Sequence, residues 1–323
     1  MIRKFLGIPV VRWILKMLML VGVLVIVLPK RYLFASATAD YANQILFLYF
    51  LLAFVFLIFR QPRMMFFAFA GAGVLSLFLK YSSNPEISAP PVEKDFPVVN
   101  IAQFNLSNME SVDRALGIID SCEADVISLQ EVTPLWDSLL RMTLKENYPF
   151  QFIHVDMGID GMAVFSKFPL KSVDTLRYHQ TVSIMGRIDM DTLGNQLCFI
   201  GFHPKPPLNQ LLRNQLVEQL DWIAGICDTV RCPLVTFGDY NLTPWSDEIQ
   251  NFRRKAVLND SRRGSLLGIP TNKESFFFVP SEHIFYSNQL NCTGLQEIKN
   301  KNSMYLGVVA GFQRKVEMMT DSL

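Results

Sequence analysis

Three long apolar runs fill the first quarter of the chain, and shorter apolar bursts alternate with polar stretches through the rest. Residues 13–29 are interrupted only by Lys16, while residues 41–59 and 64–79 carry no charge at all. At about 1.5 Å of rise per helical residue these runs reach roughly 24–29 Å, against a hydrocarbon core of about 30 Å. Each is marginal alone, and flanking Lys, Arg and Tyr side chains that snorkel to the interface complete the span. No polar periodicity breaks the runs, which argues against helices buried in a soluble core. The pattern predicts a membrane anchor of about three transmembrane helices over residues 1–80. The second and third are joined as a hairpin by Arg60-Gln61-Pro62-Arg63.

Residues 81–97 are rich in Ser and Pro, lack an apolar pattern and read as a linker. Beyond them, strands are predicted at 98–104, 125–129, 162–166, 186–191, 197–203, 234–237, 275–279, 283–286 and 306–312. Helical spacing marks 112–122, 134–144 and 208–227. Many strands with interleaved helices predict a layered α/β or α+β domain over 98–315, followed by a short tail at 316–323. No internal repeat is present.

Charge sharpens the division. Residues 1–80 hold nine Lys/Arg and a single acid, Asp40, which leaves 21 basic and 28 acidic residues for 81–323; the formal charges are +8 and −7. Arg3, Lys4, Arg12, Arg60 and Arg63 fall on one side of the predicted spans, and Lys30, Arg31 and Lys80 on the other. The positive-inside rule therefore predicts a cytoplasmic N terminus in a bacterial inner membrane, with the C-terminal domain on the exported side. A cleaved signal peptide is the competing reading, since Ala35-Ser36-Ala37 has the small-x-small form, but Lys30 and Arg31 directly follow the apolar stretch. The five cysteines leave the compartment open: Cys227 and Cys232 are close enough to pair, and isolated packing thiols fit as well.

The candidate chemistry lies at strand ends. Asn105 follows the first strand, Gln130-Glu131 the second, His203 ends LCFIGF, and Gly238-Asp239-Tyr240-Asn241 follows PLVTF. A rigid sheet holds groups at such positions in register. Carboxylates and amides are hard oxygen ligands of the kind Mg²⁺ takes. No zinc-spaced His/Cys set, glycine-rich phosphate loop or G-x-S-x-G is present. Singly, each strand-end group reads as a turn device or a structural histidine; their order and spacing together carry the signal.

In that order and spacing the chain resembles the endonuclease/exonuclease/phosphatase superfamily of metal-dependent phosphoesterases, over about residues 97–315. The stretches that carry the resemblance are SLQEV (128–132), FSKFPL (165–170), HPKPPLNQLLRNQL (203–216), GDYNLTPWS (238–246) and DSRRG (260–264). HP-x-P-P-L and GD-x-N-x-TPWS behind an apolar N terminus resemble its bacterial membrane-anchored branch. The resemblance implies a four-layer sandwich of two packed mixed sheets between helices. It also implies a divalent metal, Mg²⁺ or Mn²⁺, at Asn105 and Glu131. Asp239 would activate the attacking water, Asn241 would bind the phosphoryl group, and His203 would hold the phosphate or assist the leaving group.

The family pattern ends with Ser-Asp-His before its last strand, the His paired with the Asp of an earlier Ile-Asp. Here the triplet reads Ser303-Met304-Tyr305, and the earlier dipeptide reads Ser281-Glu282. An unperturbed phenol, with a pKa of about 10, is a poor substitute base, and loss of a positioned acid/base costs roughly 10²–10⁴ in rate. Two linked departures suggest relaxed demand for the chemistry. The sequence thus predicts a membrane-tethered, metal-dependent phosphoesterase, with a catalytically degenerate ligand- or partner-binding module as the alternative. The acidic domain is a poor match for bulk nucleic acid, which favours a basic footprint. The bilayer and a phosphate ester are the expected partners. The basic runs Arg253-Arg254-Lys255 and Arg262-Arg263 read as solvated faces, with a single-phosphate contact as the sharper alternative.

Overall fold

The computed structural model describes residues 8–28, 33–84, 90–92, 97–109, 111–190, 196–262, 279–300 and 305–315. The N-terminal part is helical: α1 (Pro9–Val27), a short α2 (Leu33–Asp40), α3 (Ala42–Ile58) and α4 (Pro62–Ser82). Small residues let these helices approach closely. Ala42, Ala53, Ala68 and Ala72 are fully buried, and a Cβ at Gly71 would meet the Tyr49 ring at 2.5 Å. By length and composition two helices, α1 with 19 residues and α4 with 21, are long and apolar enough to cross a membrane. The third expected span, α3, has 17 residues and at about 26 Å falls short of a full crossing.

The remaining elements are β1 (Val99–Asn105), α5 (Val112–Asp120), β2 (Val126–Gln130), α6 (Pro134–Leu144), β3 (Phe150–His154), β4 (Met162–Ser166), β5 (Leu170–Tyr178), β6 (Thr181–Asp189), β7 (Gln196–Phe202), α7 (Gln210–Thr229), β8 (Leu234–Asp239), α8 (Asp247–Ala256), β9 (Leu258–Asp260), β10 (Glu282–Ser287), β11 (Leu290–Lys299) and β12 (Tyr305–Arg314). They form two six-stranded sheets, ordered β11-β12-β1-β2-β4-β3 and β5-β6-β7-β8-β10-β9. Each sheet is antiparallel except for one central parallel pair, β1–β2 in the first and β7–β8 in the second.

Packing explains the layers. Ile101, Val126, Val164 and Val308 of the first sheet meet Phe199, Phe237 and Ile284 of the second in one apolar cluster. Their opposite faces are covered by helices. Phe104, Ile127 and Phe165 pack beneath Ile119 of α5 and Leu140 and Leu144 of α6. Ile200, Phe202 and Phe285 pack beneath Leu220 and Ile223 of α7 and Phe252 of α8. Central strands β2, β4 and β8 are therefore buried on both faces, which is why they read as continuous apolar runs. The expected four-layer sandwich is what these contacts build.

The strands absent from the sequence reading, β3, β5, β9 and β11, are the four sheet edges. An edge strand pairs on one side only, and β5 and β11 are largely exposed or half-buried, so no clean apolar pattern marks them. Strand 186–191 starts earlier than expected, as part of β6. The expected strand at 275–279 lies outside the described residues except for Val279, which is not in a strand.

Cys232 is joined to Cys198, not to Cys227. Parallel pairing of β7 with β8 brings Cys198 beside Leu234, and the Cys198 N–H donates to Pro233 O at 2.7 Å. Cys227 points instead into the core beneath α7. Alkylation of the denatured, unreduced protein should accordingly label three of the five cysteines, leaving Cys198 and Cys232 untouched. The double serine variant should lose about 2–4 kcal/mol in urea denaturation.

Candidate active site

Both parallel pairs end on the same side of the molecule. β1 delivers Asn105 and β2 delivers Glu131 just past its last residue; β7 delivers His203, and β8 delivers Asp239 and Asn241. β10 runs antiparallel to β8, so its first residue, Glu282, lies directly across from Asp239. β12 runs antiparallel to β1, so Tyr305 arrives at the same end. All seven residues expected from the sequence are thereby brought together.

Their contacts form one network. The Asn105 amide Nδ2 donates to Glu131 Oε1 at 3.0 Å and to Asp239 Oδ2 at 3.1 Å. His203 Nδ1 lies 3.0 Å from the Asp239 carbonyl, and its Nε2 faces Glu131 Oε1 at 3.5 Å. The Asn241 N–H donates to Asp239 Oδ1, and its side-chain amide donates to Pro204 O. Glu131 and Asn241 both take left-handed backbone, at φ +60° and +54°. That conformation costs a non-glycine residue about 1–2 kcal/mol and persists where the surroundings enforce it.

The residue that aligns these groups, Gln130, is marked in the sequence as a strand-end polar residue but given no role. Gln130, fully buried, donates from Nε2 to Phe202 O at 2.9 Å and accepts the Asp239 N–H at Oε1 at 2.7 Å. One side chain thus ties β2 of the first sheet to β7 and β8 of the second. Gly238 makes room for it: a Cβ there would stand 1.8 Å from Phe202 O and 2.5 Å from the Gln130 amide. A glutamine closing an otherwise apolar strand was the available signal, because a buried amide needs partners. Ser107 was also missed; its hydroxyl lies within hydrogen-bond distance of Asn105 Oδ1 and Glu131 Oε1.

The two departures from the family pattern turn out to be coupled. The Tyr305 hydroxyl donates to Glu282 Oε2, while Glu282 Oε1 accepts the Asn105 N–H at 3.0 Å. Tyr305 and Glu282 are partners rather than independent drift, and the longer carboxylate still reaches the site. Met304 lies outside the described residues. Burial, and then the opposing Asp239 carboxylate, push the Glu282 pKa well up. Burial and Glu282 do the same to the Tyr305 phenol. His283 is elsewhere: Nε2 lies 2.7 Å from Leu242 O, and burial together with Arg262 drives its pKa well down.

The basic runs are not solvated faces throughout. The Arg253 guanidinium lies over the Phe285 ring and donates to Ser82 O and Ser83 O, and the Arg262 guanidinium donates to Glu282 O. Arg254 and Lys255 do sit at the surface, on Asn251 and Asp221.

A divalent cation fits the donor set. The Glu131 and Asp239 carboxylates make a place where positive charge is favoured, filled in this structure by the Asn105 Nδ2 group. Asn105 would ligate a cation through Oδ1, which here accepts from Ser107, so metal binding requires its amide to turn over. Among the described residues no group of three His, Cys, Asp or Glu side chains is placed to hold a metal ion. Mg²⁺ is characteristically held by one or two carboxylates with substrate oxygens and water completing the shell, so an open set suits it.

Residues 100–300 match the endonuclease/exonuclease/phosphatase family. The chain belongs to that family. Its members are typically hydrolases of phosphate esters and commonly depend on a divalent metal. Similar solved structures include a family protein from Bacteroides thetaiotaomicron, 16% identical at a TM-score of 0.53 over 69% of this chain and 100% of that one. The human Nocturnin catalytic domain with bound sulfate is 21% identical, with a TM-score of 0.52 over 68% and 94%. Sphingomyelinase C from Streptomyces griseocarneus is 14% identical, with a TM-score of 0.50 over 67% and 99%. These likenesses establish the fold. Comparison with the curated proteins finds none that matches.

Titration of the His203–Glu131 pair follows from the geometry. Burial opposes the His203 charge, but the hydrogen bond to Glu131 and the charge of Asp239 outweigh it, so its pKa is raised. Burial likewise opposes the Glu131 charge, yet hydrogen bonds from His203 and Asn105 leave its pKa lowered. The Glu131 contribution is complete above the ordinary Glu value and disappears as pH falls through the lowered one. The His203 contribution is complete below the ordinary His value and disappears as pH rises through the raised one. In metal-free protein, the stability gap between wild type and His203→Gln should be widest between the ordinary Glu and His values, about pH 4.3 and 6.5, and narrow as pH rises through the raised His203 value. Urea titrations across that range check it, and a gap independent of pH would remove the ion pair from the account. Tyr305→Phe leaves Glu282 Oε2 without this donor and should cost about 1–3 kcal/mol in the same assay.

Proposed function

We propose that this protein is a membrane-tethered, divalent-metal-dependent phosphoesterase. The observation that carries the reading is the convergence of Asn105, Glu131, His203, Asp239 and Asn241 at one end of both sheets, in hydrogen-bond contact. In this reading Glu131 and Asn105 hold the cation, which would polarise a phosphoryl oxygen and offset charge gathering on it. The Asp239 carboxylate accepts a proton from the attacking water. Asn241 and His203 donate hydrogen bonds to phosphoryl oxygens, and Gln130 keeps Asp239 aimed by holding its backbone N–H. Glu282 and Tyr305 take the place of the family's Asp and His as a hydrogen-bonded pair that braces Asn105.

The membrane tether is supported by the surface of the helical part. Trp13, Leu18, Val21, Leu51, Phe54, Ile58, Phe66 and Leu77 are all exposed there, a density of apolar side chains that water does not tolerate and a bilayer does. The Cys198–Cys232 disulfide suits an oxidising compartment and so supports an exported domain. The positive-residue bias agrees with that side for three crossings, whereas α1 and α4 alone would return the chain to the side of its N terminus. The acidic balance of the domain disfavours bulk nucleic acid and leaves small phosphodiesters, phosphomonoesters and lipid headgroups as substrates.

The test is turnover of chromogenic phosphodiesters and monoesters by the full chain in detergent, with Mg²⁺ or Mn²⁺. Metal-dependent hydrolysis is expected, and Glu131→Gln and Asp239→Asn should each lower it about 10²–10⁴-fold. Metal binding without turnover above those variants would replace this reading with that of a binding module. The absence of imidazole at position 305 favours that second reading.

A further inference from the structure

Two features of the chain have no part in the chemistry above: Asp40, the single acid of residues 1–80, and the Thr243-Pro244-Trp245-Ser246 stretch that follows Asn241. The fold brings them together. The Thr243 hydroxyl donates to Asp40 Oδ1 at 3.1 Å, and the Trp245 indole N–H donates to Ala39 O at 2.7 Å. Thr243 is fully buried, and Trp245 packs in the same apolar cluster as Leu46, Leu75 and Leu79 of the helices.

This junction has a second side. Gln250 and Arg253 of α8 donate to Ser82 O, Arg253 also to Ser83 O, and Asn84 Nδ2 donates to Asp260 O at 2.9 Å. The beginning of the expected linker is therefore held against the domain, and the domain grips the helices at the ends of both α2 and α4. The loop from Asp239 to Ser246 carries the first grip and leads into the second, and Ser246 caps α8 by accepting from the Ile249 N–H.

One end of this loop holds Asp239 and the left-handed Asn241; the other is fastened to the helices only two to four residues on from Asn241. We propose that the N-terminal helices are a positioning part of the active site, with Thr243 and Trp245, docked on Asp40 and Ala39, setting the loop that presents Asp239 and Asn241. Thr243 and Trp245 touch no reacting atom; they act through the backbone they share with the two site residues. Gln130 fixes the loop at its start, and this docking fixes it at its far end. The inference rests on the phosphoesterase reading for its kinetic readout and stands apart from it for its structural one.

The experiment uses the full chain in detergent or nanodiscs and compares wild type with Thr243→Val, Thr243→Ser and Trp245→Phe. Amide hydrogen exchange of residues 239–246 is measured alongside kcat and KM for a chromogenic phosphodiester. Valine removes the hydroxyl at nearly constant shape, serine keeps it, and phenylalanine keeps a ring without the N–H. Thr243→Val and Trp245→Phe should speed exchange in the loop and lower kcat about 10–100-fold with KM near wild type, while each lost hydrogen bond lowers the melting temperature by no more than a few degrees. Thr243→Ser should restore both readouts.

Unchanged exchange, or faster exchange with wild-type kcat, overturns the proposal and leaves the helices as a tether alone. If wild type shows no turnover, the phosphoesterase reading falls. The exchange contrast between Val and Ser at position 243 then still decides whether the helices hold the loop.

Discussion

The alignment on which the site depends is held by polar ties between the two sheets, and the most deeply placed of them is a buried glutamine, which acts beside Asn105 and Tyr305. Two sheets packed through apolar side chains alone have no directional contact to set their register, because dispersion and burial are nearly indifferent to small sliding motions. Gln130 supplies the missing direction. Its amide spends both its donor and its acceptor on backbone groups of the opposite sheet, Phe202 O and the Asp239 N–H. An amide left unpaired in that interior would cost several times what the bonds contribute net. Sliding the sheets would break both bonds at once, so the two carboxylates, the amides and the imidazole are held within reach of one another. Gly238 is the accommodation: only a residue without Cβ lets β8 come close enough to Phe202 and the Gln130 amide.

How much of this was legible in the sequence follows from what each residue has to satisfy. Central strands such as β2 and β8 announce themselves because both faces are buried. Edge strands such as β5 and β11 do not, since a half-solvated strand imposes little on its side chains. Helix α8 was illegible for a related reason: it has just three apolar residues, Ile249, Phe252 and Ala256, all facing inward, and Arg253 within its basic run is turned onto Phe285 and the Ser82 and Ser83 carbonyls. The site residues were legible by position, at the ends of strands. Their couplings were not, because contacts such as Glu282 with Tyr305 or Cys198 with Cys232 join positions 23 and 34 residues apart through sheet pairing that no local pattern encodes.

The substitution at positions 282 and 305 shows how a replaced pair can remain a pair. In the sequence the two changes read as linked departures under relaxed demand; the phenol donating to the carboxylate shows that the two residues are partners in the fold. The carboxylate keeps its bond to the Asn105 backbone, so the support of the candidate metal end is preserved although the imidazole is gone. Burial raises the pKa of both groups, which disfavours charge at this corner.

The junction between helices and domain is built unevenly, and this bears on how each side tolerates change. The domain contributes side chains, whereas the helices contribute mostly backbone carbonyls: those of Ala39, Ser82 and Ser83. A carbonyl oxygen is the same whatever residue bears it. The helical part can therefore exchange most of its side chains for others of similar greasiness and still offer the same handholds, provided its helices end where they do now. The domain has no such freedom at Trp245 and Arg253. Along the N-terminal stretch much of the docking information is written in the shape of the chain, with the Asp40 carboxylate and the Asn84 amide as side-chain letters.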